Sequence, residues 1–176
     1  MSDLQFATLL ARNKAFASTD AKSQVPEIPF IPHDLSFVIT CVDPRTEPAA
    51  FLGVGLGDAI VLRTIGGRVT PAVLRDVAYI SYLLETKAPD GPWFELAVVH
   101  HTDCGSTFLA DEELRHDFAQ RSGFDEGELA ALPAVDPYQT VRTDVELLRS
   151  APQISSKIKI SGHVYDLKTG LVTTVV

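Results

Sequence analysis

The sequence predicts an α/β fold: a mostly parallel central β-sheet flanked by helices and finished by a C-terminal β-hairpin. Three observations predict it. Apolar runs at residues 35–40, 58–63 and 96–100 are short enough and apolar enough to be strands buried on both faces. Segments with helical spacing separate them, the order that builds parallel sheets. Near the end of the chain, residues 157–165 alternate apolar and polar positions, Asp166-Leu167-Lys168-Thr169-Gly170 reads as a turn, and residues 171–175 return.

Taken in order, residues 3–16 read as an amphipathic helix with Leu4, Leu9 and Leu10 among its apolar positions. Residues 21–34 hold three prolines and read as an extended connection. Leu35 to Thr40 is the first buried strand, and it stops at Cys41-Val42-Asp43-Pro44-Arg45. A short helix is expected within 47–54. Asp58 to Arg63 is the second buried strand, ended by Gly66-Gly67. Thr70-Pro71 opens a helix, with Thr70 as N-cap and proline at the first helical position. Val73, Leu74, Val77, Ala78, Leu83 and Leu84 continue it at helical spacing. Leu96 to His100 is the third buried strand and runs into His101-Thr102-Asp103-Cys104-Gly105. Helices are expected at 111–122 and, after Pro137, at 138–150.

The bulk properties narrow the function. A chain of 176 residues with 45% hydrophobic and 22% charged side chains suits one domain, residues 1–176, with 1–34 as an N-terminal helix and arm. A net charge of −8 argues against nucleic acid and against an anionic membrane surface as partner. The first residues lack the layout of a signal peptide, and no apolar run approaches a membrane span. With only two cysteines, Cys41 and Cys104, the expected setting is the cytoplasm, where thiols stay reduced.

Both unusual segments lie just past a predicted strand end, where ligand sites of parallel sheets gather. His101 and Cys104 are three apart and can turn inward around one metal, and Cys41 supplies a third ligand from the neighbouring strand end. Two thiolates and one imidazole suit Zn²⁺, one ion per chain. Three protein ligands leave one tetrahedral position open, as in catalytic rather than structural sites. In extended chain Cys41, Asp43 and Arg45 face one side, so a carboxylate held by a guanidinium can stand beside the metal. His100 is expected to point away from His101, behind the sheet. Gly53-Val54-Gly55-Leu56-Gly57 precedes a strand and lacks the strand-loop-helix order of a phosphate loop.

Cys41-Val42-Asp43-Pro44-Arg45 and His101-Thr102-Asp103-Cys104-Gly105, with Arg63-Thr64-Ile65-Gly66-Gly67 between them, resemble the β-class carbonic anhydrases over residues 35–110. That family carries Cys-x-Asp-x-Arg and His-x-x-Cys-Gly in this order, and Arg-Asn-Ala-Gly-Gly between them. Thr64-Ile65 in place of Asn-Ala, and Pro44, are departures. The resemblance implies a β-carbonic-anhydrase-like fold and zinc ligation by Cys41, His101 and Cys104. It implies Asp43 and Arg45 as the catalytic dyad. Gly105, without a side chain, is expected to let the backbone approach the site closely, where its N–H can hold an anionic product. The resemblance implies a homodimer or dimer of dimers, with the N-terminal helix laid across the partner. The implied reaction is hydration of CO₂ to bicarbonate by a zinc-bound hydroxide. Relatives that hydrolyse carbonyl sulfide or carbon disulfide, releasing H₂S, carry the same motifs. The remaining alternatives are a non-catalytic zinc protein and a thiol enzyme with Cys104 as nucleophile and His101 as base.

Overall fold

The computed structural model describes residues 3–20 and 31–176, with side chains from Phe6 onward in the first segment. The expected extended connection at 21–34 therefore lies largely outside the described residues, as does the side chain of Leu4. Helix α1 spans Asp3–Ser18.

Strand β1 is Ser36–Cys41, buried at every position from Phe37 onward. Strands β2, Ala59–Thr64, and β3, Glu95–His101, flank it, both parallel to it. Strand β4, Lys159–Tyr165, adds parallel to β3, and β5, Val172–Thr174, closes the predicted hairpin antiparallel to β4. The sheet order is β2-β1-β3-β4-β5. The chain thus leaves β1 toward one side and returns as β3 on the other. Connections diverge at the carboxyl ends of β1 and β3, which opens a crevice there.

The second strand differs from expectation. It was expected to be buried, yet β2 is at the sheet edge and only half covered, with Val61 39% exposed. An apolar run reports hydrophobicity, not the number of neighbours, so it cannot separate an edge strand from an interior one.

Helix α2 is a single turn, Pro48–Phe51, and α3 runs Pro71–Lys87. The α3 start is as predicted: the Thr70 hydroxyl accepts the Val73 N–H, which satisfies one of the unpaired amides of the first turn. Val73, Val77 and Leu84 form its buried stripe. Helices α4, Glu112–Ser122, and α6, Pro137–Arg149, begin at the aspartate caps Asp111 and Asp136. Between them lies a short helix the sequence reading missed, α5, Glu126–Ala130, capped by Asp125. Helix α6 packs on β3 and β4. There Val141, Val145 and Leu148 join Ile39, Leu96, Val98 and Val164 in the core. Each such side chain contributes about 1.5–3 kcal/mol by leaving water.

One charged group interrupts this apolar stripe. Asp144 on α6 is 1% exposed and accepts from Arg68 Nε at 2.8 Å, Arg68 Nη2 at 3.0 Å and the Val69 N–H at 3.1 Å. His100 Nε2 lies 3.2 Å away, and His100 Nδ1 meets the Thr140 hydroxyl at 2.8 Å. His100 therefore lies behind the sheet, as expected, and locks β3 to α6. Burial alone would raise the Asp144 carboxyl; the adjacent His100 ring and the Arg68 hydrogen bonds outweigh it and hold the group below its ordinary value. Asp144→Asn leaves the Arg68 guanidinium without its counter-charge and is expected to cost about 3–5 kcal/mol, read as a urea midpoint shift. Because the folded-state value is depressed, this stabilisation is present above the ordinary carboxylate range and is lost as pH falls through the folded value. The asparagine variant should accordingly show a shallower acid limb in a stability-against-pH profile.

Among the described residues, no helix is long and apolar enough to cross a membrane.

Candidate metal centre

Cys41 is the last residue of β1 and His101 the last of β3, so parallel pairing brings both to the same end of adjacent strands. Cys104 follows at the head of a 3₁₀ turn, Gly105–Ala110. All three are buried, and their ligand atoms lie within 4.8 Å of one another. Cys41 Sγ and Cys104 Sγ are 3.8 Å apart and form no disulfide. Tetrahedral bonds of about 2.3 Å place two sulfurs on one zinc roughly 3.8 Å apart, so the spacing fits a shared ion.

His101 supports the same fit. Its Nδ1–H donates to the Thr102 carbonyl at 2.9 Å, which leaves Nε2 as the lone-pair nitrogen. Nε2 is fully buried and has no hydrogen-bond partner among the described residues. A buried, unpaired acceptor beside two thiols is what a ligand to a cation looks like before the cation is counted.

The thiols are themselves polarised. Two sulfurs at this distance share one proton more readily than they hold two charges. Cys104 is pushed below the ordinary thiol range chiefly by Cys41, against burial, with His101 and Ser106 helping. Cys41 is pushed up by Cys104 and by burial. Burial would lower His101, but its contact with Cys104 prevails and raises it. Cys41 also receives the Asp43 N–H at 3.4 Å and faces the Gly66 N–H.

The expected dyad is present, though built differently. After Cys41 the chain does not stay extended: it turns at Pro44, with the Thr46 N–H closing onto the Asp43 carbonyl. The Arg45 N–H caps Asp43 Oδ1 at 2.9 Å, and the guanidinium grips both carboxylate oxygens, Nε to Oδ1 at 3.0 Å and Nη2 to Oδ2 at 2.7 Å. An aspartate turn, not strand alternation, makes the pair. Arg45 holds the Asp43 carboxyl down to about 2, so it is a carboxylate at neutral pH. In this arrangement Asp43 faces Arg45 and is not one of the clustered ligands.

Several participants were not legible in the sequence. Arg45 also bonds Asp103, Nη1 to Oδ2 at 2.8 Å and Nη2 to the carbonyl at 2.9 Å. Asp103 reaches it from a left-handed conformation, φ 54°, which aspartate tolerates. Arg63 donates to the Cys41 and Asp43 carbonyls and pairs with Glu47, bracing the same loop. Gly66 and Gly67 both have positive φ, and a Cβ on Gly66 would stand 2.9 Å from the Leu132 carbonyl oxygen. Glycine is required there by both conformation and space. A Cβ on Gly105 would meet nothing within 4 Å among the described residues, so packing within the chain makes no demand for glycine there. His33, His116 and His163 pair with Asp58, Glu126 and the Ser161 and Thr174 hydroxyls, away from the cluster.

Residues 36–132 match the family model described as carbonic anhydrase. The chain is 27% identical over 143 residues to Beta-carbonic anhydrase 1 of Mycobacterium tuberculosis, covering 81% of this chain and 83% of that protein. It is 29% identical over 157 residues to a carbon disulfide hydrolase of Acidianus sp. (strain A1-3), covering 76% and 73%. The crystal structure of carbonic anhydrase from Streptococcus mutans superimposes with a TM-score of 0.80 at 34% identity, over the full length of both chains.

Proposed function

The chain belongs to the β-carbonic anhydrase family, an enzyme family that includes carbon disulfide hydrolases, and on that premise we propose that it hydrates CO₂ to bicarbonate, with one Zn²⁺ held by Cys41, His101 and Cys104. The observation that carries the reading is the buried triad: two sulfurs at 3.8 Å and an unpaired imidazole nitrogen, with no fourth residue in the cluster among the described residues. Zn²⁺ in such a site supplies Lewis acidity that brings the ionisation of water toward neutral pH.

The chain's own residues do the rest. Asp43, kept ionised by Arg45, accepts a hydrogen bond from the reacting water and so turns a lone pair of the water oxygen toward the substrate carbon. Arg45, tied also to Asp103, keeps that carboxylate from turning toward the cluster. The buried walls around Cys41, Cys104 and Ala134 exclude bulk water from the ligand side. The Gly105 N–H is assigned to the anionic product. The proton lost by the water leaves to solvent across the exposed Arg45 side. A second copy of the chain completes the enzyme as a homodimer or dimer of dimers, a reading supported by Phe6, Leu9, Leu10 and Phe16, all exposed on α1.

A carbon disulfide hydrolase among the relatives favours one second reading, hydrolysis of carbonyl sulfide or carbon disulfide by the same apparatus. Stopped-flow CO₂ hydration run beside H₂S detection from COS separates the two. The expected outcome is CO₂ turnover well above that of COS; fast H₂S release with little CO₂ hydration reverses the order.

A further inference from the structure

Ser106 sits in the 3₁₀ turn after Cys104 and is buried. Its Oγ lies 3.2 Å from Cys104 Sγ and accepts the Ala134 N–H at 3.0 Å. A hydroxyl has one hydrogen to give. With a lone pair taken by Ala134, that hydrogen has one close acceptor among the described residues, the Cys104 sulfur, and a metal-bound thiolate can only accept. The position is enforced from three sides. Gly66 has no side chain where a Cβ would come 3.0 Å from the hydroxyl, Ala134 packs with both cysteines in one buried cluster, and the turn itself fixes the Ser106 backbone.

We infer that Ser106 is a positioning residue for the metal: its hydroxyl fixes Cys104 Sγ and draws charge off that sulfur. The inference rests on the zinc reading above. Its chemical meaning follows from the ligand set. Two thiolates pass more charge to a zinc ion than imidazoles do, which blunts its acidity. A hydrogen bond to one of them returns part of it. The plainer alternative is that Ser106 only satisfies the buried Ala134 amide. That role would affect folding stability and leave the metal's electronic surroundings alone.

The two roles separate in metal binding and in spectroscopy. Ser106→Ala should weaken Zn²⁺ binding, measured by competition with a chelating dye, by about 10–100-fold. With Co²⁺ in place of zinc, its sulfur-to-metal charge-transfer bands should move to lower energy, because an unscreened thiolate gives up an electron more easily. Ser106→Thr keeps the hydroxyl and should restore both affinity and band position. Thermal unfolding of the same variants without added metal reports the Ala134 contact separately. An S106A variant with wild-type affinity and wild-type bands, whatever its melting temperature, overturns the inference. So does a folded S106T variant that behaves like S106A, since the donor would then be irrelevant. Wild-type protein that takes up neither ion overturns the zinc reading itself and this inference with it.

Discussion

Cys104→Ser is expected to weaken zinc binding by about 10²–10³-fold and to remove turnover with it. Zinc held by four ligands in small peptides is bound by about 10–16 kcal/mol, so one ligand is worth roughly 2.5–4 kcal/mol, or about two to three decades. Serine cannot replace the thiolate, because its hydroxyl does not ionise near neutral pH and oxygen is a harder donor than sulfur. The variant should fold, since serine fits the space of a cysteine that touches Ser106 and Cys41. Metal content after dialysis against a weak chelator, paired with CO₂ hydration, checks the prediction. A variant that keeps stoichiometric zinc would remove Cys104 from the ligand set. Full activity in wild-type protein stripped of metal, lost on alkylation, would instead support Cys104 as a nucleophile.

Asp43→Ala is expected to keep zinc and lose turnover, with kcat/KM falling about 10²–10⁴-fold, the range for a positioned proton-accepting group. Asp43 is outside the ligand cluster and held by Arg45, so its removal leaves the three donors in place. The change strands the Arg45 guanidinium, but that side chain is 49% exposed and retains Asp103. Folding should therefore be little affected. This variant separates an enzyme from a protein in which the ion serves only structure. In the second case metal content and residual activity would both be unchanged. Loss of zinc together with activity would show Asp43 acting as a ligand.

The Cys41, His101 and Cys104 cluster and the Asp43–Arg45 ion pair were readable from the sequence because few residue types suit such a site, and because parallel strands put Cys41 and His101 at one sheet end. Asp43 and Arg45 do pair, but not by the geometry expected. Strand alternation was assumed where an aspartate turn does the work, and both happen to join residues two apart. The supporting residues were not readable. Asp103 depends on a left-handed backbone, and Ser106 on the meeting of three loops distant in sequence. Asp144 depends on a helix face turned toward His100. Such contacts are properties of tertiary packing, and no local pattern announces them. The edge position of β2 was missed for a related reason: hydrophobic runs carry no information on strand order. The short helix α5 rests on the Asp125 cap and one buried leucine, too little for a periodic signal.

The most direct test is zinc K-edge X-ray absorption on the zinc-loaded protein at neutral pH. The account predicts two sulfurs at about 2.3 Å and two nitrogen or oxygen donors at about 2.0–2.1 Å, one of them exchangeable with added anion. A shell without sulfur, or one closed by four protein donors that no anion displaces, would contradict it.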